Sequence, residues 1–406
     1  MAASDSIELL HQLRQTPELL EALNTASGSE LQVQQRLRQN YSPELVRAAL
    51  ALHEARRKAV GQLPEATQLW LTSVGLQQST AWEVARHKAN RFPAGERVFD
   101  LCSGIGVDAA ALADRGPVTC VDLSPAMLLR SEWNLQVWRK AGCLQSQSDV
   151  DFQTADVAQM NLPDRLLHVD PDRRSGRTHA ARRLEQYMPD LDWMQRTVRS
   201  GRSGALKIGP ASNFMQKFAG CEIELISLHG ECREATVWFG DLAGPHSFRA
   251  TSLPSGETLS LDPLDAWCPV ADQPAAYLFD PDPAVVRSGL LDAVGEIGHM
   301  QRMDKEDEYL TGEAIPSSAF VTSYFVEACL PNNLRSVKKH LQKSGSVDYE
   351  VKCRRLKVDA NRIQKQLPRG SEPVRSVFFL KINGRSRVVI ARRIDRVPLQ
   401  TTPASG

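Results

Sequence analysis

The chain has 406 residues, 42% of them apolar and 24% charged, a composition that excludes a disordered, fibrous or collagen-like protein. The net charge of +1 hides an asymmetry, because the chain from Leu330 onward holds 18 Lys and Arg against 5 Asp and Glu, whereas the rest holds 31 basic and 43 acidic residues. A basic end of this kind favours a polyanionic partner, and the length predicts two or three domains.

Several protein classes are disfavoured by simple patterns. No stretch of 18 residues is continuously apolar, so we expect no membrane span. The first residues include Asp5 and Glu8 and lack a basic segment followed by an apolar one, so we expect no secretory signal. The 8 cysteines form no C-x-x-C pair and show no zinc-finger spacing with histidine, which predicts free thiols, a reducing cytoplasmic location and no metal site.

Residues 1–93 have the pattern of a helical region. Apolar residues recur at spacings of three and four, as in Ile7, Leu10 and Leu13, among many Glu, Gln, Arg, Ala and Leu. Prolines at 17, 43 and 64 are placed to separate short helices. We therefore predict several helices that pack on the domain that follows.

Residues 94–250 alternate short β-rich runs with longer helical stretches, which is typical of parallel βαβ units. The predicted strands are 97–101, 118–123, 150–157, 165–170, 204–209, 222–230 and 233–240. The last two are separated by only a few residues around Gly230 and predict an antiparallel hairpin. The expected fold is α/β, a Rossmann-like doubly wound sheet of five parallel strands closed by this hairpin.

The remaining chain is expected to form a separate domain. Residues 251–276 are rich in Pro, Gly, Ser and Asp and predict a linker. Residues 277–396 mix helical stretches (283–297, 332–343 and 359–367) with strands and predict a basic α+β domain. Within it, Asn383 and Gly384 between two β-rich runs predict a hairpin. Residues 397–406 are expected to be a disordered tail.

The segment 99–128 carries the clearest functional pattern. A strand ends at Asp100, Gly104 and Gly106 then permit a close backbone approach, and a helix start follows whose N–H groups suit a polar ligand. Asp122 ends the next strand, where a carboxylate can accept both ribose hydroxyls of a nucleoside cofactor. An acid before the glycines would repel a pyrophosphate, so a dinucleotide is disfavoured. Alternatively, Asp122 caps the following helix.

These residues resemble motif I of the class I S-adenosylmethionine (SAM)-dependent methyltransferases, through the sequence DLCSGIGVD. The resemblance implies that SAM is the cofactor, with the amino-acid end near Asp100 and the ribose on Asp122. Asp156 and Val157, after the third strand, resemble the acidic and apolar pair that borders the adenine, although Asp156 alone also fits a solvated loop acid. The implied cofactor-binding residues are Asp100, Cys102, Gly104, Gly106, Asp122, Leu123, Asp156 and Val157.

The fourth strand ends in HVDPDRRSGR (168–177), the position that faces the methyl acceptor in this class. Amino-methylating members resemble one another in Asp/Asn-Pro-Pro-aromatic, and this chain keeps Asp170 and Pro171 but continues with Asp172 and Arg173, a departure that disfavours an amine acceptor without excluding it. A C5-uracil mechanism is disfavoured because the end of the next strand, LKIGPASNF, lacks the cysteine nucleophile. The implied catalytic residues are Asp170 and Arg173, and Pro171 and Arg174 are implied to contact substrate.

These loop residues also fit structural roles. Asp170 could cap the Pro171 turn instead of facing an acceptor. Arg173 and Arg174 fit a phosphate clamp and fit equally an ion pair with acids of the same domain. Lys207 in the fifth strand points either to the pocket or to a surface carboxylate.

Most of the chain resembles the bacterial group of class I methyltransferases that carry a C-terminal THUMP-like domain. The resemblance extends from motif I through YLFDPDPAVVRSGL (277–290) and YLTGEAIP (309–316) to the basic C-terminus. True THUMP domains are RNA-binding modules found with tRNA-modifying enzymes. The basic residues Lys338, Lys339, Arg354 and Arg355 are therefore expected to contact substrate phosphates; the alternative is pairing with acids of the chain or of a second copy.

The leading hypothesis is a SAM-dependent methyltransferase that acts on RNA, either tRNA or rRNA, at a base or a ribose. We expect no DNA and no membrane partner, and the sequence predicts no particular oligomeric state. Two alternatives stay open: a small-molecule methyltransferase whose basic domain serves assembly, and a catalytically silent protein that binds SAM or RNA.

Overall fold

The computed structural model describes residues 6–173, 181–343, 349–367 and 374–394. These residues form two compact units. The first contains the described residues up to Ile223 together with Arg233–Pro245, and the second contains Glu224–Cys232 and the described residues from His246 onward. Arg174 and the predicted tail at 397–406 lie outside the described residues.

The N-terminal region of the first unit consists of short helices. They are α1 (Ile7–Arg14), α2 (Pro17–Asn24), α3 (Glu30–Leu37), α4 (Pro43–Ala59), α5 (Ser73–Gln78) and α6 (Trp82–Ala89). Pro17 and Pro43 occupy the first turn of α2 and α4, where the missing N–H costs nothing. The buried leucines of these N-terminal helices share one apolar core with residues of the sheet domain, among them Trp133 and Trp138.

The sheet of the first unit has the predicted Rossmann-like arrangement. The strands that follow α6 are β1 (Val98–Leu101), β2 (Val118–Asp122), β3 (Val150–Thr154), β4 (Leu166–Val169), β5 (Gly204–Ile208), β6 (Glu222–Leu228) and β7 (Glu231–Phe239). Within this unit the order is β3-β2-β1-β4-β5-β7. Strands β1 to β5 are parallel, and β7 pairs antiparallel with β5. The crossover helices are α7 (Val107–Ala113), α8 (Pro125–Lys140) and α9 (Leu191–Val198).

The segment expected to be a linker contains regular structure in the second unit. Strands β8 (Phe248–Leu253) and β9 (Glu257–Leu261) pair antiparallel, and Gly256, with a φ of +75°, lies in the turn between them. The proline, serine and glycine at 254–256 that indicated a linker therefore belong to a tight hairpin turn.

A second sheet builds the rest of this unit. Its strands are β10 (Tyr277–Pro281), β11 (Gln301–Arg302), β12 (Leu310–Gly312), β13 (Val321–Pro331), β14 (Tyr349–Cys353), β15 (Arg375–Ile382) and β16 (Arg385–Arg393), in the order β11-β12-β10-β13-β16-β15-β14. The helices are α10 (Pro283–Ser288), α11 (Leu291–Ile297), α12 (Leu334–Lys343) and α13 (Ala360–Gln366). Asn383 and Gly384 form the turn between β15 and β16, both with positive φ, as predicted.

Both faces of β15 and β16 are buried. Phe378, Leu380 and Val389 belong to one apolar cluster with Tyr309 and Tyr324. The alternating residues of these strands belong to a second cluster, with Val337 and Leu341 of α12. Because α12 buries its apolar stripe in this way, its charged residues lie on the opposite, outer side of the helix.

Candidate functional site

The carboxyl ends of β1 to β4 surround a cavity of about 510 Å³ in the first unit. The strand order reverses between β1 and β4 at this edge, which is where open α/β sheets bind ligands. Part of the wall comes from Gly75, Gln78, Ser79 and Thr80, a contribution that sequence reasoning missed. The expected site residues that line the cavity are Cys102, Gly104, Asp122, Leu123, Asp156, Val157, Asp170, Pro171 and Arg173.

The turn after β1 uses its two glycines for different reasons. Gly104 has a φ of +56°, and a Cβ there would meet no atom within 4 Å, so the left-handed backbone alone favours glycine. At Gly106 a Cβ would lie 2.1 Å from Oγ of Ser131 on α8. Gly106 is not among the lining residues, contrary to expectation, because its role is to let α8 pack against the turn.

Asp122 is held at the cavity wall by two backbone donors. The N–H of Gly104 donates to its Oδ2 at 2.9 Å, and the N–H of Ser124 donates to its Oδ1 at 2.8 Å. Burial raises the pKa of Asp122 by more than these hydrogen bonds lower it. Ser124, and not Asp122, caps α8 by accepting from the N–H of Met127, so the capping alternative for Asp122 is not observed.

One end of the cavity combines apolar surface with acids. Leu123 lines it and is 72% exposed, an unusual state for a large apolar side chain beside a cleft. Val157 is buried, and Asp156 is exposed with its Oδ1 accepting from the N–H of Ala158 at 2.9 Å. Such an end suits a flat aromatic ring that carries N–H donors.

Asp170 is paired with a lysine from the neighbouring strand. Nζ of Lys207, a residue 5% exposed on β5, donates to Oδ2 of Asp170 at 2.7 Å and to the main-chain oxygen of Gln78 at 2.9 Å. Burial raises the pKa of Asp170, and Lys207 opposes this effect. Lys207 therefore points toward the pocket side, and the alternative of a surface carboxylate partner is not observed.

The loop after β4 is joined to the N-terminal region. Nε2 of Gln78 donates to Oδ1 of Asp172 at 2.6 Å. Arg173 has no ion pair among the described residues, and a Cβ at Gly209 would lie 3.0 Å from its Nη1, so its guanidinium lies beside the end of β5. The expected partner residue Arg174 lies outside the described residues.

Asp100 lies beneath the cavity and does not line it, which corrects the expected contact with the cofactor. It is completely buried, and its Oδ1 lies 2.6 Å from Nδ1 of His168. Asp100 and His168 are register partners on β1 and β4, so their side chains share one face of the sheet. Burial raises the pKa of Asp100.

A buried cluster of charges that sequence reasoning missed surrounds Lys88 on α6. Lys88 is 1% exposed, and its Nζ lies 2.9 Å from Oδ1 of Asp108, 2.7 Å from Oε1 of Glu234 and 3.2 Å from Nε2 of His168. Burial raises the pKa of Asp108, but the positive charge of Lys88, helped by His168 and Lys207, lowers it further in total, so that carboxyl group titrates below its ordinary range. The cluster therefore ties α6 to α7 and to the sheet.

In the second unit, two of the arginines expected to contact substrate form ion pairs with acids of the same unit. Arg354 places Nη2 2.7 Å from Oδ1 of Asp280 and Nη1 3.3 Å from Oε2 of Glu308, and Arg355 pairs with Glu308 at 2.5 Å. Arg354 is therefore committed to the domain itself. Arg354 and Arg355 therefore pair with acids of the chain, which is the alternative to phosphate contact that the sequence left open.

The basic residues of α12 are different. Lys338 and Lys339 form no ion pair or side-chain hydrogen bond among the described residues, and Lys339 is exposed. Arg335, one turn earlier, is also exposed and without an ion pair in the described part of the chain. These three cations, which we call the α12 basic patch, are free to meet an external anion.

No group of three or more His, Cys, Asp or Glu among the described residues could hold a metal ion. None of the helices described is both long and apolar enough to span a membrane.

The chain is similar in sequence to other proteins and to one family model. Two uncharacterized S-adenosylmethionine-dependent methyltransferases of Mycobacterium tuberculosis, from strains CDC 1551 and H37Rv, are each 33% identical to this chain over 341 residues, covering 80% of it and 89% of the relative. A family model described as THUMP domain-like matches residues 321–393.

The fold is shared with a solved structure. The crystal structure of a candidate methyltransferase from Porphyromonas gingivalis W83 covers 96% of this chain and 98% of its own, with a TM-score of 0.75 and 19% identity. At this identity the likeness concerns the fold, and it confirms the α/β architecture with a C-terminal sheet domain that the sequence predicts.

Proposed function

The chain belongs to the S-adenosylmethionine-dependent methyltransferases, and we propose that within this family it methylates RNA, either tRNA or rRNA, at a base or a ribose. The observation that carries the choice of RNA is the α12 basic patch, which lies in the segment matched by the THUMP-like family. Cations on a folded element, unpaired and with few aromatics nearby, suit contact with phosphates.

The residues of the cavity fit the family's cofactor, SAM. Its described lining contains five carboxylates and one guanidinium, a strongly acidic set that suits a ligand carrying a sulfonium and an ammonium group and disfavours a pyrophosphate. When bound, SAM supplies an electrophilic methyl group on a positively charged sulfur.

We assign the individual contacts as follows. Asp122, fixed by the N–H groups of Gly104 and Ser124, would accept hydrogen bonds from the ribose. Leu123, Asp156 and Val157 would border the adenine. The carboxylates that line the cavity act in a partly water-excluded site, where they stabilise a cationic ligand more strongly than in bulk water.

Asp170 and Arg173 lie at the part of the cavity where the acceptor would enter. Asp170 is an ionisable group in the wall, and Arg173 is a planar donor with no acidic partner among the described residues. We propose that Asp170 accepts a hydrogen bond from the acceptor and that Arg173 binds a phosphate or stacks on a base beside it.

The decisive experiment measures transfer of tritiated methyl groups from SAM. The acceptors are total RNA and a small-metabolite extract, both from cells that lack this protein, and the labelled RNA is digested to nucleosides. Label in tRNA or rRNA nucleosides is the expected result. Label confined to the metabolites would replace the RNA proposal with a small-molecule one, and label in neither would indicate a silent binder.

A small-molecule acceptor is the second candidate, and one observation favours it. Arg354 and Arg355 pair with acids of their own unit, so part of the positive charge of the C-terminal region already has partners within the chain. On this alternative the α12 basic patch would contact another protein chain in an assembly, and it would not bind RNA.

A further inference from the structure

Lys207 lies behind Asp170 and is not itself part of the cavity wall. Its ammonium group makes a 2.7 Å contact to one oxygen of Asp170 and a 2.9 Å contact to the main-chain oxygen of Gln78. Both partners line the cavity. A lysine that is 5% exposed and bonded to two residues of the wall fixes the position of both.

The other oxygen of Asp170 has a different environment. Oδ1 forms no hydrogen bond to any described residue, although Asp170 is a lining residue whose side chain is 22% exposed. A carboxylate held by one oxygen and open at the other is a directed hydrogen-bond acceptor.

We propose that Lys207 is a positioning residue for methyl transfer, which holds Oδ2 of Asp170 so that Oδ1 accepts a hydrogen bond from an N–H or O–H group of the methyl acceptor. The inference rests on the proposed methyl transfer and deepens it, because it restricts the acceptor atom to nitrogen or oxygen.

The chemistry that follows is balanced within the site. The lone pair of the acceptor atom forms a bond to the methyl carbon while the carbon–sulfur bond breaks, and both electrons of that bond remain on sulfur. The acceptor then releases its proton to Oδ1 of Asp170, and the proton passes to water when the product leaves. Asp170 orients the lone pair of the acceptor toward the methyl carbon, and this near-attack geometry accelerates the transfer.

Methylation of a ring carbon would need a different group. A carbon acceptor of the uracil type requires a thiolate nucleophile, and Cys102 is the cysteine among the described lining residues. Burial raises the pKa of the Cys102 thiol well above its usual value, with Asp122 and Asp170 adding to the shift. The thiol stays protonated at neutral pH and does not serve this role.

The proposal also predicts how Asp170 titrates. Burial raises the pKa of Asp170, the positive charge of Lys207 lowers it, the negative charge of Asp108 raises it, and Lys88 lowers it. Asp172 and Arg173 are the further charged groups of the same loop, and Asp100 on β1 and Asp122 on β2 also interact with the charge of Asp170. Removal of the Lys207 charge deletes the largest lowering effect, so the pKa of Asp170 rises further and the carboxylate form is reached only at higher pH.

The test compares the binding of SAM with that of S-adenosylhomocysteine by calorimetry between pH 5 and 9. The two ligands differ in the sulfonium charge, so their affinity ratio reports the negative charge of the cavity wall, to which five carboxylates contribute, while contacts to ribose and adenine cancel. The difference between the wild type and Asp170→Asn isolates the contribution of Asp170. In the wild type we expect the ratio to rise with pH as Asp170 ionises, and in Asp170→Asn we expect it to lose that rise.

The variants of Lys207 then separate positioning from mere packing. We expect Lys207→Gln to move the midpoint of the rise upward by about one pH unit or more, and Lys207→Arg to leave it near the wild-type value. Lys217→Gln is the matched control, because Lys217 pairs with Glu185, away from the cavity lining. Lys207→Met serves if Lys207→Gln does not fold, and S-adenosylhomocysteine binding checks the fold of each variant.

Two results would overturn the proposal: a wild-type ratio as flat as that of Asp170→Asn, or a midpoint that removal of the Lys207 charge does not move. The readout needs no methyl acceptor. If RNA takes up no label, the proposal of an RNA acceptor is wrong. The role of Lys207 is then still decided by the binding curves.

Discussion

At the scale of single residues, Asp122 is the strongest test of the cofactor site. We expect Asp122→Ala to lose most of the rise in melting temperature that SAM causes, because the carboxylate proposed for the ribose is removed. At a ligand concentration of 100 times Kd, wild-type stabilisation is about 2.7 kcal/mol, or several degrees. Asp192→Ala, an exposed acid on α9 outside the cavity lining, is the control. An undiminished shift in Asp122→Ala would remove the ribose assignment.

Asp100 makes a prediction about pH at the same scale. Its pKa is raised by burial in the folded state, so the folded protein holds this proton more strongly than the unfolded chain, whose value is about 3.9. The wild type therefore loses stability as pH rises from about 3.9 through the folded pKa. Asp100→Asn keeps an oxygen for Nδ1 of His168 and avoids the buried charge.

We expect the free energy of unfolding of Asp100→Asn to exceed that of the wild type at pH 7.5 and the difference to shrink near pH 4. Urea denaturation at both pH values measures it, with Asp192→Asn as the charge-matched control. The prediction is wrong if Asp100→Asn is less stable than the wild type and the difference in the free energy of unfolding is the same at pH 7.5 and at pH 4. In that case the ionised carboxylate does not destabilise the fold.

At the scale of secondary-structure elements, Lys88 joins the N-terminal helices to the sheet domain. Lys88→Met leaves Asp108 and Glu234 buried without their cation, which typically costs about 3–5 kcal/mol. We expect Lys58→Met on α4 to cost less than about 1 kcal/mol, because Lys58 and Glu54 form a pair that is about half exposed.

The measurement is urea unfolding followed by tryptophan fluorescence, which reports on the first unit through Trp133 and Trp138. A second change, Glu234→Gln, should recover part of the loss in Lys88→Met because it removes one of the uncompensated charges. Equal losses in Lys88→Met and Lys58→Met would show that the buried cluster contributes no more than a surface pair.

At the scale of the whole molecule, the parts that sequence predicted are those set by local pattern. Short β-rich runs predicted β1 to β5, and the position of an acid at a strand end brought Asp122, Asp156 and Asp170 to one cavity. The parts it missed depend on distant residues. Lys88 and Glu234 are 146 positions apart, and nothing near either residue shows that a partner will be buried beside it.

The same limit explains the other differences. Asp100 follows the strand pattern of a pocket acid, but its partner His168 is fixed only by the register of β1 and β4. Gln78 ends a short helix, and its main-chain oxygen accepts from Lys207, which comes 129 positions later in the chain, so no local pattern indicates that this helix end lines the cavity. Arg354 looks like a free cation until the fold brings Asp280 to it.

The charge asymmetry of the whole chain leads to the last prediction, in which cofactor and RNA binding are separable. The described cavity lining belongs entirely to the first unit, and the α12 basic patch belongs to the second. We expect Lys338→Ala combined with Lys339→Ala to weaken binding of bulk tRNA and to leave SAM affinity unchanged.

The salt dependence of tRNA binding identifies the mechanism. Each phosphate contact adds about 0.9 to the slope of log affinity against log salt in a duplex, so loss of two lysines should flatten the slope by up to about 1.8. Arg47→Ala with Lys58→Ala removes the same charge from the exposed surface of α4 and should leave the slope as it is. A slope that neither pair changes would mean that α12 does not contact phosphates, and the positive charge of the C-terminal region would then be explained by pairs such as Arg354 with Asp280.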